Sequence, residues 1–121
     1  MRKIWYLDTC STCNRIMGEL GGLEDFEKQN IKDNNISAGE LDDLRNKVGS
    51  YEALFSRRAM KFRQWGLHEK TLTEQDFRDL ILKEYTFLKR PVIIIGESVF
   101  AGNAKKEVEG AKRLLSGSEK K

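Results

Sequence analysis

The 121-residue chain has one proline, Pro91, one histidine, His68, and two cysteines, Cys10 and Cys13. It has no long apolar run: nothing approaches the ~20 residues that a membrane-spanning helix needs, so no membrane association is expected. The start, Met1-Arg2-Lys3-Ile4-Trp5-Tyr6-Leu7, carries two cations but only four apolar residues before Asp8, too few for the apolar core of a signal peptide. Without an export signal the expected location is cytoplasmic, a reducing compartment in which a cysteine pair is rarely a structural staple. A dominant charge sign is also missing. Twenty-two Lys and Arg are set against nineteen Asp and Glu, for a net charge of +3, so no direct nucleic-acid binding is implied. Internal repeats and low-complexity segments are absent as well.

What is present describes an ordinary globular domain, 39% hydrophobic and 34% charged. Its length suffices for one core without disulfides or metals. Residues 3–7 form a continuous apolar strand of the kind buried on both faces. Asp8, Thr9, Ser11 and Thr12 crowd together as turn and capping residues. From Cys13 the spacing of Ile16, Leu20 and Leu23 predicts a helix stopped by Gly21-Gly22. Residues 24–31 read as a second strand, with Phe26 and Ile31 inward. Ser37 and Glu40 make a capping box that opens a helix through Leu41, Leu44 and Val48 to Gly49. Ser50 to Gly66 is helical in character and rich in Arg and Lys. Thr73 caps a further helix with a stripe of Phe77, Leu80 or Ile81, and Tyr85. Val92-Ile93-Ile94-Ile95 is the clearest strand, and Val99-Phe100-Ala101 pairs with it as a hairpin across Gly96-Glu97-Ser98. Asn103 then caps a last helix that buries Val108, Ala111, Leu114 and Leu115.

The order is β-α-β, a helical stretch, then β-β-α. The first half implies a parallel strand pair joined by a right-handed crossover. The expectation is an α/β, thioredoxin-like fold: a mixed sheet flanked by helices, formed as one domain over 1–117. A helical insertion occupies about 37–86, and 118–121 form a flexible tail.

Cys10-Ser11-Thr12-Cys13 falls between a buried strand and a helix start. Unpaired N–H groups at a helix N-terminus favour an anion, so a thiolate at Cys10 is stabilised there. Cys13 lies one turn on, placed to attack a mixed disulfide on Cys10, which makes Cys10 the attacking and Cys13 the resolving thiol. A zinc site would need two more ligands, and only His68 is on offer. Inert thiols acting as small hydrophobes are another reading. Redox chemistry is preferred because motif, context and compartment agree. Arg90-Pro91 precedes the core strand, an acceptable place for a residue without an N–H, and by itself predicts an ordinary trans proline.

Three patches resemble the arsenate reductase (ArsC) family, including its Spx-like branch of transcriptional regulators. They are Ile4-Trp5-Tyr6 with Cys10-Ser11-Thr12-Cys13-Asn14-Arg15; Leu54-Phe55-Ser56-Arg57-Arg58-Ala59-Met60-Lys61-Phe62-Arg63; and Leu88-Lys89-Arg90-Pro91-Val92-Ile93-Ile94 with Gly102-Asn103. The resemblance covers about residues 3–115. It implies that Pro91 is cis and faces the cysteines, that Cys10 is the redox cysteine, and that Arg90 binds a substrate oxyanion through its guanidinium fork. The reductases carry two further arginines, where this chain has Ser56 and Asn103. Arg57 or Arg58 can replace the first and nothing nearby replaces the second. Arg57, Arg58, Lys61 and Arg63 also read simply as a solvated helix face. Substrate-binding candidates are therefore Arg58, Arg57, Pro91 and Asn103, beside the catalytic candidates Cys10, Cys13 and Arg90.

The resemblance implies a thiol-disulfide oxidoreductase acting on arsenate, a related oxyanion or a disulfide. It needs no bound cofactor, and an external reductant (glutathione with glutaredoxin, or thioredoxin) restores its thiols. The alternative is an Spx-like redox-sensing regulator whose Cys10-Cys13 switch controls binding to the RNA polymerase alpha subunit, since a second cysteine in this loop and Gly102-Asn103 match that branch. A third possibility is a structural protein with idle thiols.

Overall fold

The computed structural model describes residues 2–21 and 23–116. Gly22, expected to help stop the first helix, and the expected tail at 118–121 lie outside the described residues. The chain divides into two compact units, one built from residues 1–34 and 90–121 and the other from 35–89.

The first unit holds four strands, β1 (Arg2–Tyr6), β2 (Glu27–Asn30), β3 (Val92–Ile95) and β4 (Ser98–Ala101). With them are the helices α1 (Ser11–Leu20) and α5 (Lys105–Leu115). The sheet order is β2-β1-β3-β4. β1 runs parallel to β2 and antiparallel to β3, and β3 and β4 form an antiparallel hairpin. The parallel pair requires the intervening helix α1 as a crossover, which carries the chain over one sheet face. On β1, Ile4 points into a cluster with Leu23, Phe26, Ile93 and Ala111, against which Met17, Leu20, Phe100 and Leu115 pack. Lys3 and Trp5 alternate onto the opposite face, where Trp5 is paired in register with Val92 and Lys3 with Ile94, all of them buried. The Lys3 ammonium bonds its cross-strand neighbour Glu27 at 3.2 Å and lies 5.0 Å from the Trp5 ring. A buried cation thus keeps a charge partner and an aromatic face.

The hairpin turn is two residues long, and Gly96 takes the positive φ of 63° that its first central position requires. α5 packs closely on β4: a Cβ added at Gly110 would come within 2.6 Å of the Phe100 ring.

The second unit contains α2 (Ala38–Val48), α3 (Met60–Gln64), α4 (Glu74–Lys83) and three 3₁₀ turns at Glu52–Leu54, Leu67–Glu69 and Tyr85–Phe87. Capping boxes open α2 at Ser37/Glu40 and α4 at Thr73/Asp76, and Gly49 ends α2. The core is aromatic. Phe55 is 1% exposed and meets the rings of Phe77 at 4.8 Å, Phe87 at 5.1 Å and Phe62 at 6.0 Å.

Several expectations need correction. Residues 50–66 are helical only in part, in the 3₁₀ turn at Glu52–Leu54 and in α3. Phe55 and Ser56 leave the 3₁₀ turn in extended form and pair with the segment around Leu88, with Ser56 N–H donating to Phe87 O (2.7 Å) and Lys89 N–H to Leu54 O (2.8 Å). Burying Phe55 among three rings outweighs the local helical preference. α1 starts at Ser11 and ends at Leu20, with Leu23 buried beyond it. β2 is only four polar residues long, and Phe26 and Ile31 are buried immediately outside it. Tyr85 is not on α4. Asn103 does not cap α5: it is exposed, and the N-cap is Ala104, whose side chain makes no capping bond. Glu107 in the first turn of α5 reaches back to accept the Ala101 N–H at 3.0 Å, which fastens the helix start to β4.

Candidate active site

Cys10 is the N-cap of α1, with extended backbone (φ −93°, ψ 111°). An N-cap usually offers an oxygen to an amide of the first turn. Here the sulfur does so: Cys13 N–H donates to Cys10 Sγ at 3.4 Å. Burial acts against a thiolate at Cys10. It is outweighed by the Cys13 amide, the Cys13 thiol and the Arg90 guanidinium, which hydrogen-bonds the sulfur and adds its positive charge. The result is a thiol held below its ordinary value.

Cys13 is the opposite case. It is fully buried, and burial pushes its thiol up to about 12, with the charge of the Cys10 thiolate and the hydrogen bond given to it adding to the rise. A hydrogen bond from the Leu7 amide and the charge of Arg90 resist that rise without reversing it. Two cysteines three residues apart are therefore driven in opposite directions by position alone. Both are free thiols.

The link from β1 to α1 is short and well tied. Cys10 N–H donates to Leu7 O at 3.0 Å, and Asn14 N–H donates to Cys10 O at 3.1 Å. The Asn14 side chain gives a further bond to Asp8 O at 3.0 Å. On the other side, Asp8 N–H donates to Asn30 Oδ1 at 3.4 Å. Asn30 ends β2 and stands opposite Tyr6 in the parallel register.

The Arg90-Pro91 bond is cis, against the residue-level expectation and in line with the resemblance. Pro91 is buried beside β3, and its carbonyl accepts the Gly102 N–H at 2.9 Å. Cys10, Cys13 and Arg90 are thus brought together within the first unit. Asn103 lies on the exposed turn after β4. Arg57 and Arg58 belong to the second unit. There Arg57 bonds Glu52 at 2.9 Å and lies 5.3 Å from the Phe77 ring, while Arg58 is exposed. The sequence reading missed the Leu7 amide, Asn14 and Asn30. Asn14 had a local signal, a side-chain amide one turn past Cys10. Asn30 had none, because only strand pairing brings it to the loop.

The four-stranded mixed sheet recurs in solved structures, and the fold is thioredoxin-like. An ArsC family related protein from Bacteroides fragilis aligns at a TM-score of 0.77 and 22% identity, covering 91% of this chain and 96% of that one. An arsenate reductase from Vibrio cholerae aligns at 0.75 and 14%, covering 91% and 96%. An arsenate reductase (ArsC) related protein from Brucella melitensis aligns at 0.68 and 22%, covering 90% and 92%. No curated protein sequence is a significant match. The ArsC family model matches residues 6–111, a span that takes in both cysteines, Arg90 and the closing hairpin, and the chain belongs to the ArsC family.

Proposed function

We propose that the protein is a thiol-disulfide oxidoreductase in which Cys10 is the nucleophile, Cys13 the resolving thiol and Arg90 the group that receives an anionic substrate. The observation that carries this reading is the Cys10 sulfur at the N-cap of α1, 3.4 Å from the Cys13 amide and bonded by Arg90, with Cys13 fully buried one turn on. With a disulfide substrate, the Cys10 thiolate attacks one sulfur, forms a mixed disulfide and expels the other half as a thiolate. Burial does most to keep Cys13 protonated, and the charge of the Cys10 thiolate and the hydrogen bond given to it add to this. That charge disappears once Cys10 is capped, which lowers the Cys13 value while burial persists. Cys13 then attacks Cys10 Sγ as its proton passes to the thiolate that departs. Two electrons have passed to the substrate and a Cys10–Cys13 disulfide remains. An external thiol, either glutathione with glutaredoxin or thioredoxin, returns it to the reduced state in a reducing compartment such as the cytoplasm.

Arsenate or a related oxyanion is the finer reading, supported by the guanidinium at Arg90. Ser56 and Asn103, standing where the reductases carry arginine, favour a disulfide over arsenate. Turnover assays with arsenate and with a small disulfide, under each reducing system, separate the two. Cys10→Ser should abolish turnover in either assay, and Arg90→Ala should raise KM and, because the guanidinium also supports the Cys10 thiolate, slow turnover near neutral pH. Retained turnover in Cys10→Ser would overturn the mechanism.

A second reading rests on the cap itself. Oxidation of the pair removes the thiolate charge from the α1 N-terminus, a change that a regulator can transmit to a binding surface. This is the Spx-like alternative, with the RNA polymerase alpha subunit as partner. Pull-downs from extract with the reduced and the oxidised protein test it, and recovery of no polymerase subunit in either state counts against it.

A further inference from the structure

The residue that joins β1 to the nucleophile's end of α1 is gripped from two sides. Asp8 has its carbonyl bonded by the Asn14 side chain from α1 (3.0 Å) and its N–H bonded to the Asn30 side chain at the end of β2 (3.4 Å). Both groups lie in an exposed part of the chain, where water would satisfy them equally well. Stability alone therefore gives little reason for two side-chain amides from separate elements to converge on the two peptide groups of one residue. The geometry downstream gives one. The Cys10 sulfur accepts from the Cys13 amide at 3.4 Å, a contact set by where the loop places the extended Cys10 backbone.

We propose that Asn14 and Asn30 are positioning residues, which clamp the Asp8 peptide groups and so hold the Cys10 sulfur on the Cys13 amide and against Arg90. The proposal rests on the reading of Cys10 as the nucleophilic thiolate. Both side chains bond the peptide groups of Asp8. Each acts through the loop. Asn30 also has a local duty, since its oxygen accepts the Lys32 N–H (3.3 Å) and its amide donates to Asp33 (3.3 Å). Asn14 is the cleaner probe.

The test is the pH profile of Cys10 alkylation by iodoacetamide in the intact, folded chain, with the modified residue identified by mass spectrometry. Asn14→Ala should move the profile to higher pH and slow alkylation on the acid side of the wild-type midpoint by about two- to tenfold, the factor matching the net worth of one hydrogen bond. Asn30→Ala should shift it in the same direction. Asn14→Gln, which keeps an amide donor, should recover a substantial part of the loss. A merely structural role would lower Tm and leave the profile of the folded protein where it was. Superimposable profiles for wild type, Asn14→Ala and Asn30→Ala would therefore overturn the proposal. If Asn14→Ala does not fold, Asn14→Ser with its shorter donor takes its place, and the same two outcomes decide. A wild-type profile centred on the ordinary thiol value refutes the acidic Cys10 instead, so the two failures are told apart within one data set.

Discussion

Limiting iodoacetamide at pH 7.5 should modify Cys10 and leave Cys13 intact. The ordinary thiol value is 9.0; Cys10 is held below it, and burial pushes Cys13 up to about 12. A gap of at least about three units makes the thiolate fraction at Cys10 at least about a thousandfold larger at any pH below both values. Basicity returns part of this to Cys13. With a Brønsted slope of about 0.4–0.5, three units make its thiolate about 15- to 30-fold more nucleophilic, which leaves a preference for Cys10 of about 30- to 60-fold. Cys13 is also fully buried while Cys10 is partly exposed, and restricted access widens the margin further. Peptide mapping after partial alkylation reads the ratio directly. Comparable labelling of the two cysteines, or preferential labelling of Cys13, would refute the assignment of roles. The ratio should also persist in 1 M urea, provided the fold is intact, and collapse when the chain is unfolded.

Phe55→Ala removes the ring shared by Phe62, Phe77 and Phe87 and should destabilise the protein by about 3–5 kcal/mol, measured by urea denaturation; a loss below about 1 kcal/mol would show that the ring cluster is not a packed core. Asp42 accepts bonds from Arg78 (2.9 Å) and the Tyr51 hydroxyl (2.6 Å), and these hold its carboxyl down at about 2, against an ordinary 3.8. A depressed carboxylate contributes stability above the unfolded-state value and loses it as pH falls through the folded one, so its contribution fades from about pH 4 down to about pH 2. Asp42→Asn should be less stable than wild type at pH 6, and the difference should shrink across that window in acid-dependent thermal melts; a constant difference would contradict the assignment.

The sequence was most readable where local chemistry and the fold agree. The capping boxes at Ser37/Glu40 and Thr73/Asp76, the strand Val92–Ile95 and its hairpin, and the Cys10 strand–turn–helix setting all carry short-range signals that tertiary packing reinforces. Residues 50–66 misled because the pairing of Phe55 with Leu88 depends on a partner 33 positions away. Asn103 has the right residue type for a cap, yet the helix starts two residues later, where Glu107 ties its first turn to Ala101. In the site, the cysteine spacing pointed to the chemistry, and Arg90-Pro91 pointed to its neighbour only through the family resemblance. The cis bond had no residue-level signal, and the grip of Asn30 on Asp8 exists only once β2 lies beside β1.

The central claim is that Cys10 attacks and Cys13 resolves. Its most direct test mixes the reduced protein with glutathione disulfide and follows intact mass with time. Wild type should lose two hydrogens, forming the Cys10–Cys13 disulfide with release of two glutathione thiols. Cys13→Ser should accumulate one glutathione on Cys10, and Cys10→Ser should remain unmodified on the same timescale. Glutathione accumulating on Cys13, or a wild-type protein that stops at the mixed disulfide, would contradict the account.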